Sequence, residues 1–108
     1  MNIHPDQIFY KETLQAIEAL KNVIDPELFV NIIDLGLVYD IDFSQPEIIG
    51  VNMTLSTPHC PLGEAITNGV QNALDDAFSD RKTIVTLVWE PEWSTEMMTE
   101  AGKQELGI

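Results

Sequence analysis

Two segments of alternating apolar and polar residues dominate the middle of the chain, and a short polar turn at residues 44–47 joins them. One side of the first segment carries Leu37, Tyr39, Ile41 and Phe43, and the other side carries Val38, Asp40 and Asp42. In the second segment Ile49, Val51, Met53 and Leu55 share one side, which leaves Asn52 and Thr54 as surface residues. A two-residue period is typical of half-buried strands, and a short connection makes such strands antiparallel. The sequence therefore predicts a β-hairpin.

The segments on either side of this hairpin have apolar residues at helical spacing. A first helix is predicted over residues 8–23, with Leu14, Ile17, Leu20 and Ile24 along one side, and the sequence "DPEL" ends it. A second helix is predicted over residues 61–79, and the β-branched run "TIVTLVWE" at 83–90 predicts a third strand. A right-handed crossover would make the third strand parallel to the second. Ser94 is the predicted N-cap of a final short helix.

The order of these elements, α-β-β-α-β-α, predicts an α+β fold. We expect a two-layer sandwich in which helices pack on a three-stranded mixed sheet. The 108 residues are enough for one core, so residues 1–108 are expected to form a single domain. Such a small sheet has exposed edges that a partner subunit, in a homodimer for example, could cover.

Acidic residues strongly outnumber basic ones, 18 to 5, which gives a formal net charge of −13. The charge repels phosphates, so neither nucleic acid nor an anionic membrane is an expected partner. No apolar run approaches the roughly 20 residues of a transmembrane helix, and the amino terminus lacks the pattern of a secretory signal. Since a single cysteine cannot form an intrachain disulfide, we expect a cytoplasmic protein.

Cys60 is the one cysteine, and it lies between the second predicted strand and the second predicted helix. Pro61 suits the first helical position, which places Cys60 at or beside the N-cap. Backbone N–H groups and the helix dipole stabilise a thiolate there and lower the pKa of the thiol. A functional thiol is therefore predicted at Cys60, against the alternative of an inert buried cysteine.

The number of available ligands limits what this thiol can bind. Structural zinc takes four protein ligands, and an iron–sulfur cluster normally takes four cysteines, whereas this chain offers Cys60, His59 and His4. We therefore expect no closed metal site within one chain. Two chains in a symmetric dimer could provide two thiols, with open positions for exogenous thiols, and such a shared site would be labile. A cysteine nucleophile assisted by His59 is the enzymatic alternative, although adjacent loop side chains usually point apart.

Polar residues of two loops are the candidates to support Cys60. They are Ser56, Thr57 and His59 beside the cysteine, and Asp25, Glu27, Asn31 and Asp34 in an otherwise apolar loop. A structural role is equally open, because hydroxyls before a helix often satisfy backbone groups and acidic residues cap helices and shape turns. Trp89 and Trp93, on either side of Pro91, are predicted to pack the final helix onto the sheet.

Three blocks, "VIDPELFVNIIDLGLVYDIDF", "VNMTLSTPHCPLGEAI" and "VTLVWEPEWSTEMMTEAGKQELG", closely resemble the small iron–sulfur assembly domain family that includes the SufT and PaaD proteins. The resemblance covers about residues 23–107 and implies the α+β fold predicted above. It also implies that the family's T-x-x-C-P motif falls on Thr57, Cys60 and Pro61, with Cys60 as the functional thiol. The chain departs from the pattern at Ser56, where threonine is common, and at His59, where a small residue or methionine is commoner.

The resemblance implies a non-catalytic factor in the assembly or maturation of iron–sulfur proteins. Such a factor would act through protein contacts and through transient ligation of iron or a cluster by Cys60, with no tightly bound cofactor. Its expected partners are other iron–sulfur assembly proteins and client apo-proteins. Two alternatives are a cysteine-dependent thiol enzyme and an accessory subunit for assembling a PaaD-type oxygenase complex.

Overall fold

The sequence patterns correspond to a three-stranded sheet and its helices in the computed structural model, which describes residues 9–56 and 63–108. The elements in chain order are α1 (Tyr10–Leu20), α2 (Ile32–Leu35), β1 (Val38–Asp42), β2 (Ile48–Met53), α3 (Gly63–Ala77), β3 (Lys82–Leu87), a 3₁₀ turn (Thr95–Met97) and α4 (Glu100–Leu106). β2 is central, antiparallel to β1 and parallel to β3. The predicted α+β class and mixed sheet are confirmed, and the short helix α2 is an addition.

One face of the sheet forms the core with α1 and α3. The side chains of Ile49, Val51 and Met53 on β2 are fully buried, and Val70 and Leu74 of α3 are fully buried as well. Since α3 contacts both α1 and β3, the helices form one layer over the sheet. The opposite face carries exposed polar side chains such as Asn52 and Thr86, together with Ile84, which is 44% exposed. This is broadly the alternation expected of a sheet covered on one side.

The first helix is shorter than predicted, and its predicted apolar side, which included Ala16 and Ala19 beside the larger residues, is only partly buried. It ends at Leu20, before the "DPEL" sequence, and its fully buried residues are Ala16 and Leu20. Leu14 and Ile24, two members of the predicted apolar side, are 39% and 48% exposed. Ile17 and Ala19 are partly buried against the core beside Ala16 and Leu20, so the prediction holds for the middle and end of the helix.

A β-bulge at Tyr39 breaks the predicted alternation of the first strand. Val38 pairs with Met53 and Asp40 pairs with Asn52, so β1 has one more residue than β2 over this interval. Val38 is consequently buried, which corrects its predicted place on the outer side, and Tyr39 is only half-buried. Bulges of this kind re-aim a side chain, and here the side chain is that of Tyr39.

Of two further predictions at element ends, one is wrong and the other is correct only in part. Thr54, expected on the surface, is 2% exposed, because its backbone N–H pairs with the carbonyl of Leu37 and holds the chain against the core. Ser94 does occupy the N-cap position, but of the 3₁₀ turn and not of the final helix, and its side chain makes no cap hydrogen bond. The cap of the last helix is Thr99, whose hydroxyl accepts a hydrogen bond from the N–H of Gly102.

The longest helix that the structure describes is α3, with 15 residues. Within residues 9–56 and 63–108, no helix combines the length and the apolar character that crossing a bilayer requires.

Candidate functional site at the carboxyl edge of the sheet

The carboxyl ends of β2 and β3 lie at the same edge of the sheet because the two strands are parallel. A backbone hydrogen bond of 2.8 Å from the N–H of Val88 to the carbonyl of Met53 continues their pairing beyond β3. Residues 54–56 extend from β2 at this edge, and residues 89–93 extend from β3. In open sheets with parallel strands this edge is the usual position of a binding site.

A cleft of about 240 Å³ separates these two extensions. Its walls are formed by Thr54, Leu55 and Ser56 on one side and by Trp89, Glu90, Glu92 and Trp93 on the other. Ser56 is half-buried, and Trp89 is 47% exposed. The cleft therefore combines aromatic surface with two carboxylates and at least one hydroxyl.

The two tryptophans have different environments, which corrects the prediction that both pack the final helix onto the sheet. Trp93 packs against the core, and its indole Nε1–H donates a 2.7 Å hydrogen bond to the carbonyl of Leu35 at the end of α2. This bond fixes the Trp93 ring as a wall of the cleft. Trp89 is exposed and is free of that packing role.

Tyr39 supports the segment that forms one wall of the cleft. Its hydroxyl donates a 2.8 Å hydrogen bond to the carbonyl of Pro91, and the sulfur of Met97 lies 3.5 Å from the same oxygen. Burial raises the pKa of Tyr39 above its ordinary value, and a hydrogen bond with the Thr54 hydroxyl partly opposes this shift. The phenol is therefore a neutral donor at physiological pH.

Tyr39 and Pro91 also line a larger cleft of about 680 Å³. Its lining is mainly apolar, with Ile17, Ile33 and Val38 among the contributors, and Lys21 supplies a cation. Lys21 is already paired with Glu18 on the same helix, at 3.5 Å.

Asp25 organises the loop that follows α1. Its carboxylate oxygen Oδ1 accepts hydrogen bonds from the backbone N–H groups of Glu27 at 2.8 Å and of Leu28 at 3.1 Å. The side chain is 2% exposed, and the loop is closed by backbone hydrogen bonds between residues 25 and 30. The contacts of Asp25 are those of a turn-forming residue, whereas the side chain of Glu27 is exposed.

Asn31 caps the start of α2, and Asp34 within α2 attaches the last helix to it. The side-chain oxygen of Asn31 accepts from the N–H of Asp34 at 2.9 Å, and its amide donates to Asp34 Oδ2 at 2.8 Å. The other carboxylate oxygen, Oδ1, accepts from the Thr99 hydroxyl at 2.9 Å. The backbone of Thr99 also donates to the carbonyl of Asp34, at 2.9 Å. Asp34 thus links α2 to the start of α4.

Glycines make this close packing possible. Gly36 ends α2 with a φ of 76°, and a Cβ atom there would collide with the backbone of Met97. At Gly102 in α4, a Cβ atom would lie 2.6 Å from the carbonyl oxygen of Asp34. The segment between β3 and α4 is therefore held tightly against α2.

The predicted site residues fall into three places. Asn31 and Asp34 contact each other, Asp25 and Glu27 share the preceding loop, and Ser56 lines the cleft at the carboxyl edge. Thr57, His59 and Cys60 lie outside the described residues, so their predicted roles stay predictions. Among residues 9–56 and 63–108, no group of three or more His, Cys, Asp or Glu side chains could hold a metal ion.

Sequence reasoning missed Tyr39, Glu90 and Glu92 as residues of this site. The alternating pattern assigned Tyr39 to the core, whereas the bulge leaves it half-buried, with its hydroxyl bonded to the carbonyl of Pro91. Glu90 and Glu92 were not singled out, because the sequence has 18 acidic residues and nothing distinguished these two from the others. The one usable signal was the spacing of Trp89, Pro91 and Trp93 directly after a predicted strand.

Comparison with known proteins identifies the family. The model of the iron–sulfur cluster assembly protein family matches residues 14–86. This chain belongs to that family. The match includes both loops that hold the predicted site residues, and it confirms the resemblance to SufT-type proteins that the sequence blocks indicated.

Relatives of this family member resemble it over most of their length. The chain is 42% identical to the Fe-S protein maturation auxiliary factor YitW of Bacillus subtilis, over 83% of this chain and 88% of that protein. It is 38% identical to the Fe-S protein maturation auxiliary factor SufT of Staphylococcus aureus, over 80% and 98% respectively. A solved domain of unknown function from Bacillus anthracis matches with a TM-score of 0.82 and 35% identity, over 88% of this chain and 91% of that one.

Proposed function

We propose that this protein is a maturation factor for iron–sulfur proteins. The observation that carries the proposal is the match to relatives named as maturation auxiliary factors, which extends over nearly their whole length. The site at the carboxyl edge of the sheet supports this proposal. It presents the exposed Trp89 beside the carboxylates of Glu90 and Glu92, and exposed tryptophans are frequent at protein interfaces.

The second part of the proposal assigns the transient ligation of iron or a cluster to Cys60. The chain has one cysteine, and a cluster normally takes four thiolates. The remaining ligands would then come from a partner protein, a second copy or external thiols. Such a site is labile, which suits a cluster carried as cargo to an acceptor.

The partners in this proposal are other iron–sulfur assembly proteins and client apo-proteins, and the place of action is the cytoplasm. A homodimer is one way to bring two Cys60 thiols together. The outer edge of β3 is available for such pairing among the described residues, since β2 occupies only its other edge. Sedimentation analysis would distinguish a dimer from a monomer.

Anaerobic reconstitution tests the ligation directly. The purified protein and its Cys60→Ser variant are incubated with iron and sulfide, desalted, and then mixed with an apo-ferredoxin. We expect visible absorption typical of a cluster in the wild type only, followed by its transfer to the acceptor. Equal absorption in the variant, or none in either protein, would refute ligation by Cys60.

A capture experiment tests the protein contacts separately. The immobilised chain is exposed to purified apo- and holo-forms of an iron–sulfur enzyme from the same cell. Preferential retention of the apo-form is expected, because a maturation factor releases a completed client. Equal retention of both forms, or of neither, would contradict the proposed contact with this client.

A further inference from the structure

The cleft at the carboxyl edge has a chemistry that selects its occupant. Glu90 and Glu92 supply two carboxylates, and Trp89 and Trp93 supply aromatic surface. Among the residues that the structure describes, no lysine or arginine lines this cleft. The planar guanidinium group of arginine binds a carboxylate through two parallel hydrogen bonds and stacks on aromatic rings. The ammonium group of lysine is not planar and can do neither in this way.

The size of the cleft favours a single side chain over a small-molecule ligand. Its volume of about 240 Å³ is below the roughly 300–1,000 Å³ typical of small-molecule pockets. Trp93 is fixed by its hydrogen bond to Leu35, and Pro91 is held by Tyr39, so the walls are in place before a partner arrives. Preorganised walls reduce the entropic cost of binding.

The chain's own arginine does not compete for this position. Arg81 is the single arginine of the sequence, and it precedes β3, at the opposite end of the strand from the cleft. Its guanidinium lies 5.1 Å from the centre of the Phe43 ring and 3.4 Å from the carbonyl of Gln45. The net charge of −13 further favours a cationic partner.

We infer that this cleft receives an arginine side chain from a partner protein, with the guanidinium between the Glu90 and Glu92 carboxylates and against the Trp89 ring. The inference rests on the proposed function, because the partner would be an assembly protein or a client. Arginine and tryptophan are both frequent among the residues that dominate interface energies.

The test is an NMR titration of the full-length, ¹⁵N-labelled protein with the peptide Ac-SRSRSRS-NH₂. A second peptide carries citrulline in place of each arginine, which keeps the shape and removes the charge. We expect the arginine peptide to shift the Trp89 indole signal and the backbone signals of residues 89–93. The citrulline peptide is expected to leave these signals in place.

Two variants of equal charge separate the cleft from general attraction to an acidic protein. Glu90→Gln with Glu92→Gln should weaken binding about tenfold. Glu64→Gln with Glu105→Gln changes exposed glutamates outside the cleft by the same total charge and should weaken binding less than about twofold.

Three results would overturn the inference: equal weakening in both double variants, equal binding of the citrulline peptide, or signal shifts that map away from residues 89–93. The titration contains no iron or sulfide. A negative titration would therefore count against arginine binding and not against the proposed function. Negative reconstitution and capture experiments would count against the proposed function and leave the titration result valid.

Discussion

Replacement of Tyr39 by phenylalanine removes one hydroxyl and keeps the ring. The substitution removes the 2.8 Å hydrogen bond to the carbonyl of Pro91, and with it the contacts of the same oxygen with the Met97 sulfur and the Thr54 hydroxyl. A neutral hydrogen bond contributes about 0.5–1.5 kcal/mol net. Since Tyr39 is half-buried and water can reach part of this region, we expect Tyr39→Phe to lower the free energy of unfolding by about 1 kcal/mol at neutral pH.

The pH dependence of this difference follows from the pKa of Tyr39. Burial raises that pKa above the ordinary value of about 10, so folding favours the neutral phenol. The stabilisation is complete below pH ~10 and is lost as the pH rises through the raised pKa. The wild type should therefore lose its advantage over Tyr39→Phe in alkaline solution.

Urea denaturation followed by circular dichroism, from neutral pH to about pH 11, measures both effects. Tyr10→Phe on α1 is the matched control, because it removes the other tyrosine hydroxyl of the chain. A Tyr39→Phe variant as stable as the wild type at neutral pH would refute the role given to the hydroxyl. A constant difference across the alkaline range would refute the pKa reasoning.

Three other substitutions test separate parts of the structure. Gly102→Ala should lower the free energy of unfolding by about 1–2 kcal/mol, because the collision with the Asp34 carbonyl outweighs the helical preference of alanine; stabilisation in a denaturant titration would contradict the packing. Hydrogen bonds from Ser44 lower the pKa of Asp42, so its contribution is present above pH ~4 and is lost as the pH falls through the lowered pKa. Asp42→Asn should therefore reduce the acid sensitivity of stability, and an unchanged acid profile would exclude this contribution. Asp25→Ala should cost about 1–3 kcal/mol in thermal or chemical unfolding, because it leaves two backbone N–H groups without their carboxylate acceptor; a loss below about 0.5 kcal/mol would contradict that role.

The regular part of the fold could be predicted because period and order determine it. Alternation placed Ile49, Val51 and Met53 on one face, and the short polar turn fixed the antiparallel pairing of β1 and β2. The crossover through α3 then required β3 to be parallel to β2. These features depend on many residues together, so single exceptions such as Leu14 do not change them.

The features that escaped prediction depend on single residues. The run around Tyr39 alternates whether or not a bulge is present, so the sequence contains no local sign of the inserted residue. Ser94 and Thr99 are both good N-cap residues, and tertiary contacts with Asp34, made by Thr99 and Gly102, place the last helix after the second. Thr54 is buried because its neighbours hold it at the end of a core strand.

The candidate site was predicted in outline and completed by tertiary structure. Ser56 was identified from its place after a strand, and it does line a cleft. The other wall comes from residues more than thirty positions later, and their proximity follows from the parallel pairing of β2 with β3. Asp25, Asn31 and Asp34 have full sets of structural contacts, whereas the role of Cys60 stays a prediction.

The maturation role is tested most directly in cells that lack their own member of this family. The measured quantity is the specific activity of a cluster-dependent enzyme, divided by the amount of its polypeptide. The account predicts that expression of this chain restores the activity per polypeptide and that Cys60→Ser, at the same expression level, restores much less. A folded and well-expressed wild-type chain that leaves the activity at the level of the deficient cells would contradict the proposed function.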